Sequence, residues 1–197
     1  MVGRMPTSPS APTKRATAMP AEERRAAIIE AVRPLLAEHG EAITTKQIAC
    51  AAGIAEGTIF RVFADKDELL DATLDAALDQ EPFESALQAI DPSLPFERQL
   101  VEATELIQQR VVDVWTLLSH LAPKRHQQVS RPMTDSPALA AIFAAHSHRI
   151  RVEPNVAARH LRALTLSLTH PMIAGEASPA TEIVDTVLYG IGTGTTA

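Results

Sequence analysis

The residues best suited to chemistry in this chain are hydrogen-bonding side chains between positions 44 and 66, not a catalytic or metal-binding set. The chain has seven histidines, but neither close pair, His146 with His148 or His120 with His126, has ligand spacing or a neighbouring Glu or Cys. No nucleophile elbow, phosphate-binding loop or zinc-protease sequence is present. We therefore expect no catalytic residue, metal or cofactor, and we do not predict an enzyme.

A short helix is predicted to carry the first of these side chains. Thr44 can cap its free amides while Gln47 reaches back to the Thr44 amide, which is a capping box. Gly53 can take the positive φ that ends a helix. The pattern predicts a helix of about two turns over residues 45–52.

A second short helix is predicted over residues 56–62, directly after the turn. Ile59 and Phe63 share one face and can bury against the first helix. Thr58, Arg61 and Val62 then point outward. Two short helices joined by a glycine-bearing turn are typical of the helix-turn-helix motif, whose second helix enters the major groove of DNA.

Flanking helices are expected on both sides of this motif. One begins at Met19, with Pro20 near its first turn, and ends near Gly40, with a kink or local break at Pro34. The other is capped by Asp65, with Glu68 at its third position, and ends before Pro82. Gly57 lets backbone approach phosphate, Thr58 and Lys66 are expected to contact phosphate, and Arg61 is the expected base reader because its guanidinium can pair with guanine.

The order of residues over this first third of the chain resembles the tetracycline-repressor (TetR/AcrR) family. The matching residues are Thr45, Ile48, Ala49, Ala52, Gly53, Gly57, Thr58, Phe63, Lys66 and Leu69. The chain departs from the family where Ala55 replaces a capping Ser or Thr, and where Phe60 and Val62 replace side chains that contact phosphate. The DNA-binding residues expected from motif and resemblance together are Thr44, Thr45, Lys46, Glu56, Gly57, Thr58, Phe60, Arg61, Val62 and Lys66.

Composition predicts an all-α protein of 197 residues, since 46% of residues are hydrophobic but only 4% aromatic. The net charge of -6 is uneven along the chain. Residues 1–63 are weakly basic and the remainder is acidic, so a phosphate-binding surface is expected only in the first part.

The single cysteine and the lack of a long apolar run indicate a cytoplasmic protein without a membrane span. Cys50 is interpreted as a packed thiol rather than a redox sensor.

Three regions are predicted. Residues 1–18 form a disordered tail, in which Lys14 and Arg15 could reach a minor groove but are more simply solvated. Residues 19–65 form the helix-turn-helix domain, and residues 66–197 form a helical ligand-binding and dimerisation domain.

The second domain is expected to contain several helices interrupted by prolines, over residues 83–90, 96–121 and 136–150 and after Pro154 and Pro179. A ligand cavity between its middle helices is predicted to be lined by Trp115, His120, Met133, Phe143, His146 and Met172. The alternative is ordinary core, which is as good an interpretation for Trp115 and the better one for the other five. Surplus apolar surface on the last two helices predicts a dimer interface at Leu161, Leu164, Leu168, Ile183, Val187 and Leu188, and the resemblance implies the same.

Together these features predict a regulator, most simply a repressor, that binds a palindromic operator in double-stranded DNA as a homodimer and responds to a small-molecule effector. The alternative is a helical ligand-binding or protein-interaction module with weakened DNA binding. Phe60, Val62 and the small positive charge of residues 1–63 favour this alternative.

Overall fold

The computed structural model describes residues 20–123, 125 and 134–190, and regular structure in these residues is helical throughout. The α-helices are α1 (Ala21–His39), α2 (Thr45–Ala51), α3 (Glu56–Ile59), α4 (Lys66–Leu78), α5 (Glu81–Gln88), α6 (Phe96–Leu118), α7 (Pro137–Ala145), α8 (Pro154–Thr169), α9 (Pro171–Ala174) and α10 (Ala180–Tyr189). Short 3-10 turns cover Gly40–Ala42 and Ser147–Arg149. The all-α prediction is confirmed; the predicted tail and Met133 lie outside the described residues.

Prolines and capping side chains begin many of these helices, as the sequence predicts. Pro137, Pro154 and Pro171 each occupy the first turn of a helix, where the missing amide costs no hydrogen bond. The Ser136 side chain also accepts a bond from the Leu139 amide at 3.3 Å. Helix α1 continues through Pro34 without ending.

Helix α7 is shorter than predicted, because it ends at Ala145 and not near Ile150. The backbone leaves helical geometry at His146, whose Nδ1 lies 3.1 Å from the Ile142 carbonyl oxygen. The His146 ring also stacks on Phe96 at 4.4 Å between centroids. This contact with α6 supports the non-helical backbone at the end of α7.

Two hydrophobic cores hold the helices together. The first lies among α1, α2, α3 and α4, and we call these helices the head. It buries Ile28, Val32, Leu36, Ile43, Ile48, Ala49, Ile59, Phe63, Leu69, Leu70, Leu74 and Ala77. The second core packs α5, α6, α7, α8 and α10 together.

Helix α6 joins the two cores. Its first half contributes Phe96, Leu100 and Ile107 to the second core. Leu117 at its end, with Leu121 just beyond, is buried in the core of the head. The head core also includes most of the apolar face of α4, so the boundary predicted between residues 65 and 66 divides that core.

Candidate nucleic-acid interface

The start of α2 is fixed by the predicted capping box. The Gln47 amide donates to Thr44 Oγ1 at 3.2 Å, and the Thr44 amide donates to Gln47 Oε1 at 2.8 Å. Gly53 has φ of 65°, which lets the chain turn sharply into α3. Ile48 and Ile59 from the two helices are fully buried beneath the turn.

Helix α3 is shorter than predicted, because its α-helical part covers Glu56–Ile59 and not residues 56–62. Ala55 provides no side-chain cap, as expected. Beyond Ile59 the amides of Arg61 and Val62 bond to carbonyls three residues back, at 3.2 and 3.0 Å. Such tighter turns are common at helix ends, and this segment contains aromatic and β-branched residues that form helix poorly.

Thr45 and Glu56 join α2 to α3 on the exterior. Thr45 Oγ1 donates to Glu56 Oε1 at 2.5 Å, between residues 11 positions apart. Nothing in the local sequence indicates this bond, because its partners lie on different helices. It connects the two helices but leaves the first amides of α3 without a side-chain cap.

The predicted DNA-binding residues form one surface, which we call the recognition surface: the outward side of α2, α3 and the turn after α3. Thr44, Lys46, Glu56, Gly57, Phe60 and Arg61 are exposed there, and Thr45, Thr58 and Val62 are half-buried. Phe60 is 51% exposed and is the only large apolar side chain exposed within residues 20–78. The fold therefore leaves an aromatic ring, a guanidinium and a backbone glycine facing outward.

Lys66 differs from the other predicted contacts because its ammonium is already bound within the protein. Lys66 Nζ donates to the Glu41 carbonyl oxygen at 2.6 Å in a half-buried position. Lys66 thus ties the start of α4 to the turn after α1. Any phosphate contact would have to use the other two ammonium hydrogens.

The turn at Gly40 and Glu41 also contacts the segment that follows α6, and we call this contact the junction. Gly40 has φ of 59°, and a Cβ there would lie 2.6 Å from the His120 carbonyl oxygen. Glu41 Oε1 accepts from the Ala122 amide at 2.9 Å. His120, predicted in a ligand cavity, therefore lies against the head instead.

Arg125 completes the junction with three carboxylates of the head. Its guanidinium lies 3.4 Å from Glu41 and 2.8 Å from Asp67, and it also pairs with Asp71. Its side chain is only 12% exposed. Long-range pairs of this kind leave no local signal in the sequence.

Four of the other predicted ligand-binding residues lie within the described part of the chain, and their surroundings differ. Trp115 contacts the His170 ring at 4.5 Å between centroids, whereas Met172 is 75% exposed. Phe143 is fully buried in the second core, and His146 stacks on Phe96. Phe143 and His146 thus share a contact with Phe96, whereas Trp115 lies beside His170.

The outward side of α8 and α10 forms an open groove of about 760 Å³. Leu164, Val187 and Leu188, all predicted at the dimer interface, line it together with small residues such as Ala163 and Ser167. Leu161 and Ile183 are instead fully buried in the second core, so they cannot meet a partner, and Leu168 is half-buried outside the groove. Of the predicted set, Leu164, Val187 and Leu188 are therefore the residues that remain on the outward side.

One end of the groove is held by a charged contact that the sequence did not reveal. Arg149 Nη1 donates to Glu97 Oε2 at 3.1 Å, and the Tyr189 hydroxyl donates to Glu97 Oε1 at 3.2 Å. The hydrogen bonds from Arg149 lower the pKa of Glu97 to about 2. This contact persists at neutral pH and is lost as pH falls below the ordinary range of a glutamate.

Cys50 is exposed on α2, so its interpretation as a packed thiol is wrong. It follows buried Ile48 and Ala49, and the next position on a short helix turns away from the core. No helix in the described parts of the chain is long and apolar enough to cross a membrane.

The head contains a helix-turn-helix arrangement, formed by α2 and α3. Residues 28–73, which include α2, α3 and most of α4, match the profile of the bacterial regulatory proteins of the tetR family. The helix-turn-helix region of this chain is therefore similar to that of the TetR-family transcriptional regulators. Members of this family are not enzymes.

Solved structures share the fold along most of the chain. A TetR-family regulator from Mesorhizobium loti has a TM-score of 0.61 and 17% identity, over 86% of this chain and 95% of that one. The fatty acid degradation regulator FadR from Bacillus halodurans has a TM-score of 0.58 and 14% identity, covering 90% and 98%. LfrR from Mycobacterium smegmatis, solved in complex with proflavine, has a TM-score of 0.53 and 24% identity, covering 88% and 99%.

Proposed function

We propose that this protein is a ligand-responsive repressor that acts in the cytoplasm and binds a palindromic DNA operator as a homodimer. The observation that carries the proposal is the recognition surface, where a guanidinium and an aromatic ring are exposed. Among the described residues, Arg61 makes no side-chain hydrogen bond or ion pair, and Phe60 is uncovered. In a helix-turn-helix protein these groups face the major groove.

The exposed groups divide by chemistry into base readers and phosphate contacts. Arg61 can donate two parallel bonds to O6 and N7 of guanine, and Phe60 and Val62 can pack on thymine methyl groups. Lys46 and Thr58 suit phosphate oxygens, whereas the Thr44 hydroxyl is already bonded to Gln47. Lys66 supports the surface from behind by holding the start of α4 to Glu41.

Gly57 gives independent support for close contact with DNA. A Cβ on Gly57 would have nothing within 4 Å, and its φ is not positive. The fold therefore does not require glycine at this position. A DNA backbone approaching closely would require it.

The dimer is proposed to form through the groove between α8 and α10. Its floor of small side chains allows close approach of a second copy, and Leu164, Val187 and Leu188 supply apolar contact. In an isologous dimer the same groove is used by both chains. The two heads must then lie about 34–36 Å apart, or a multiple, to reach successive major grooves.

Effector control is proposed to act through α6, because that helix is buried in both cores and reaches the junction. An effector that favours another position of α6 would weaken operator binding by linkage. A cleft of about 310 Å³ between α1, α4 and α6 lies beside this helix. LfrR, which shares the fold, was solved with a small molecule, proflavine.

Two variants of the recognition surface test the assignment. Arg61→Ala should lose about 1–3 kcal/mol on the operator and little on random duplex, because a base contact is removed. Lys46→Ala should weaken both duplexes alike and lower the salt dependence by about one charge per head. Fluorescence anisotropy titrations at several salt concentrations measure both effects.

Equal losses for Arg61→Ala on the two duplexes would show that Arg61 holds phosphate. If the unaltered protein binds both duplexes equally, the chain is instead a helical ligand-binding or interaction module with weakened DNA binding.

A further inference from the structure

An acidic side chain in the recognition surface is the feature that the proposed function least explains. Glu56 is the first residue of α3 and is exposed. No Lys, Arg or His among the described residues forms an ion pair with its carboxylate. A carboxylate placed against phosphate would be repelled, so its presence on this surface calls for another partner.

The Glu56 carboxylate is also held in place. Thr45 Oγ1 donates to Glu56 Oε1 at 2.5 Å, and Thr45 is itself half-buried at the start of α2. Since only Oε1 is engaged in this bond, Oε2 remains available as an acceptor. A side chain held in this way gives up less rotamer freedom when it binds.

The groups that a carboxylate can accept from in the major groove are few. Guanine presents O6 and N7 and thymine presents O4, all of them acceptors, whereas cytosine presents the N4 amino group and adenine N6 beside the acceptor N7. Of these, cytosine N4 is the usual partner of Glu or Asp. A carboxylate at the start of the recognition helix therefore favours cytosine and disfavours guanine and thymine.

We propose that Glu56, oriented by the Thr45 hydroxyl, reads the amino group of one cytosine in each half of the operator. This inference rests on the proposed function, since it names a base that the DNA-binding surface selects. The competing explanation is that Glu56 only stabilises the positive end of α3 as an acidic first-turn residue. That role would act equally on every DNA sequence.

Selection of bound duplexes from a random pool, followed by sequencing, separates the two explanations. The unaltered protein should select cytosine at one position of each half-site. Glu56→Gln should shift that position toward adenine, because a carboxamide can bond to both N6 and N7 of adenine. Glu56→Ala should relax the position, losing about 5- to 150-fold in discrimination against the wrong base.

Two further variants keep the test independent of folding and of charge. Thr45→Val removes the hydroxyl at nearly constant volume and should weaken the cytosine preference at that same position. Glu38→Gln removes the same charge from an exposed site on α1, and it should leave the selected sequence unchanged. Thermal melting followed by circular dichroism verifies that each variant is folded.

If Glu56→Gln and Glu56→Ala select the same sequence as the unaltered protein and merely bind all duplexes more tightly, base reading by Glu56 is wrong while the proposed function stands. If the unaltered protein selects no sequence, the proposed function fails and this inference fails with it.

Discussion

The recognition surface of the head and the groove between α8 and α10 are both open to solvent, but they are built in opposite ways. On the recognition surface, outward groups such as Arg61 and Phe60 project from a small, fully packed core. The groove is concave, and small side chains such as Ala163 and Ser167 make space in it. The first surface suits insertion into DNA, and the second suits contact with a surface of matching shape.

The largest expected effect comes from closing the groove to a partner. Leu164→Glu places a charge in an apolar contact, so the protein should become monomeric and operator binding should fall by more than about 100-fold, since one head makes half the contacts. Sedimentation velocity at micromolar concentration measures the first effect, and anisotropy titration measures the second.

Two related variants distinguish loss of the dimer from unfolding. Ala163 lies in the groove and is exposed, so Ala163→Glu should give the same monomer with little loss of stability. Leu166→Glu changes an exposed residue of α8 outside the groove and should remain dimeric. A dimer that survives both groove variants would place the interface elsewhere.

A smaller effect is expected at the junction, where the turn at Gly40 and Glu41 contacts the segment after α6. Gly40→Ala forces a Cβ into a backbone conformation with φ of 59° and ψ of -151°, and against the His120 carbonyl oxygen. Strain in this region costs about 1–3 kcal/mol, which corresponds to roughly 2–12 °C in melting temperature for a chain of this size. Differential scanning calorimetry measures the change.

Gly53→Ala is the matched control for the junction. Gly53 also has positive φ, at 65°, but a Cβ there would meet nothing within 4 Å. The loss of melting temperature should be larger for Gly40→Ala than for Gly53→Ala. The difference reports the cost of separating the Gly40 turn from the end of α6. Equal melting temperatures for the two variants would mean that the junction contributes little.

The smallest expected effect is that of replacing Gly57 in the recognition surface. Gly57→Ala should leave stability unchanged or raise it by up to about 1 kcal/mol, because alanine suits a helix better and nothing obstructs its Cβ. Binding to operator and to random duplex should both weaken, by roughly fivefold, if a DNA backbone approaches this position. Unchanged binding would remove Gly57 from the interface.

Features that depend on neighbouring residues could be predicted from the sequence. Local rules located the capping box at Thr44, the turn at Gly53 and the cap at Asp65, because each depends on residues within a few positions. The predicted length of α3 was wrong, because the helix has no side-chain cap and weak helix formers follow it. The predicted length of α7 was also wrong, because the helix ends at Ala145 and His146 stacks on Phe96.

Contacts between distant parts of the chain could not be predicted. The bonds of Glu41 to Ala122 and of Glu97 to Arg149 join residues 81 and 52 positions apart, and nothing in their local sequence indicates a partner. Apolar spacing predicted an interface on α8 and α10 but could not show which of their leucines are buried in the second core. Leu161 proved to be core, whereas Leu164 lines the groove.

The central claim, that the head reads a DNA sequence on behalf of a dimer, is tested most directly by one titration. The protein is titrated into its selected palindrome and into random duplex of the same length at one physiological salt concentration, with the stoichiometry read from the saturating ratio. We expect the palindrome to bind at least about 10³-fold more tightly, with a whole number of dimers on each duplex. Equal affinity for the two duplexes, or saturation at one chain per palindrome, would contradict the account.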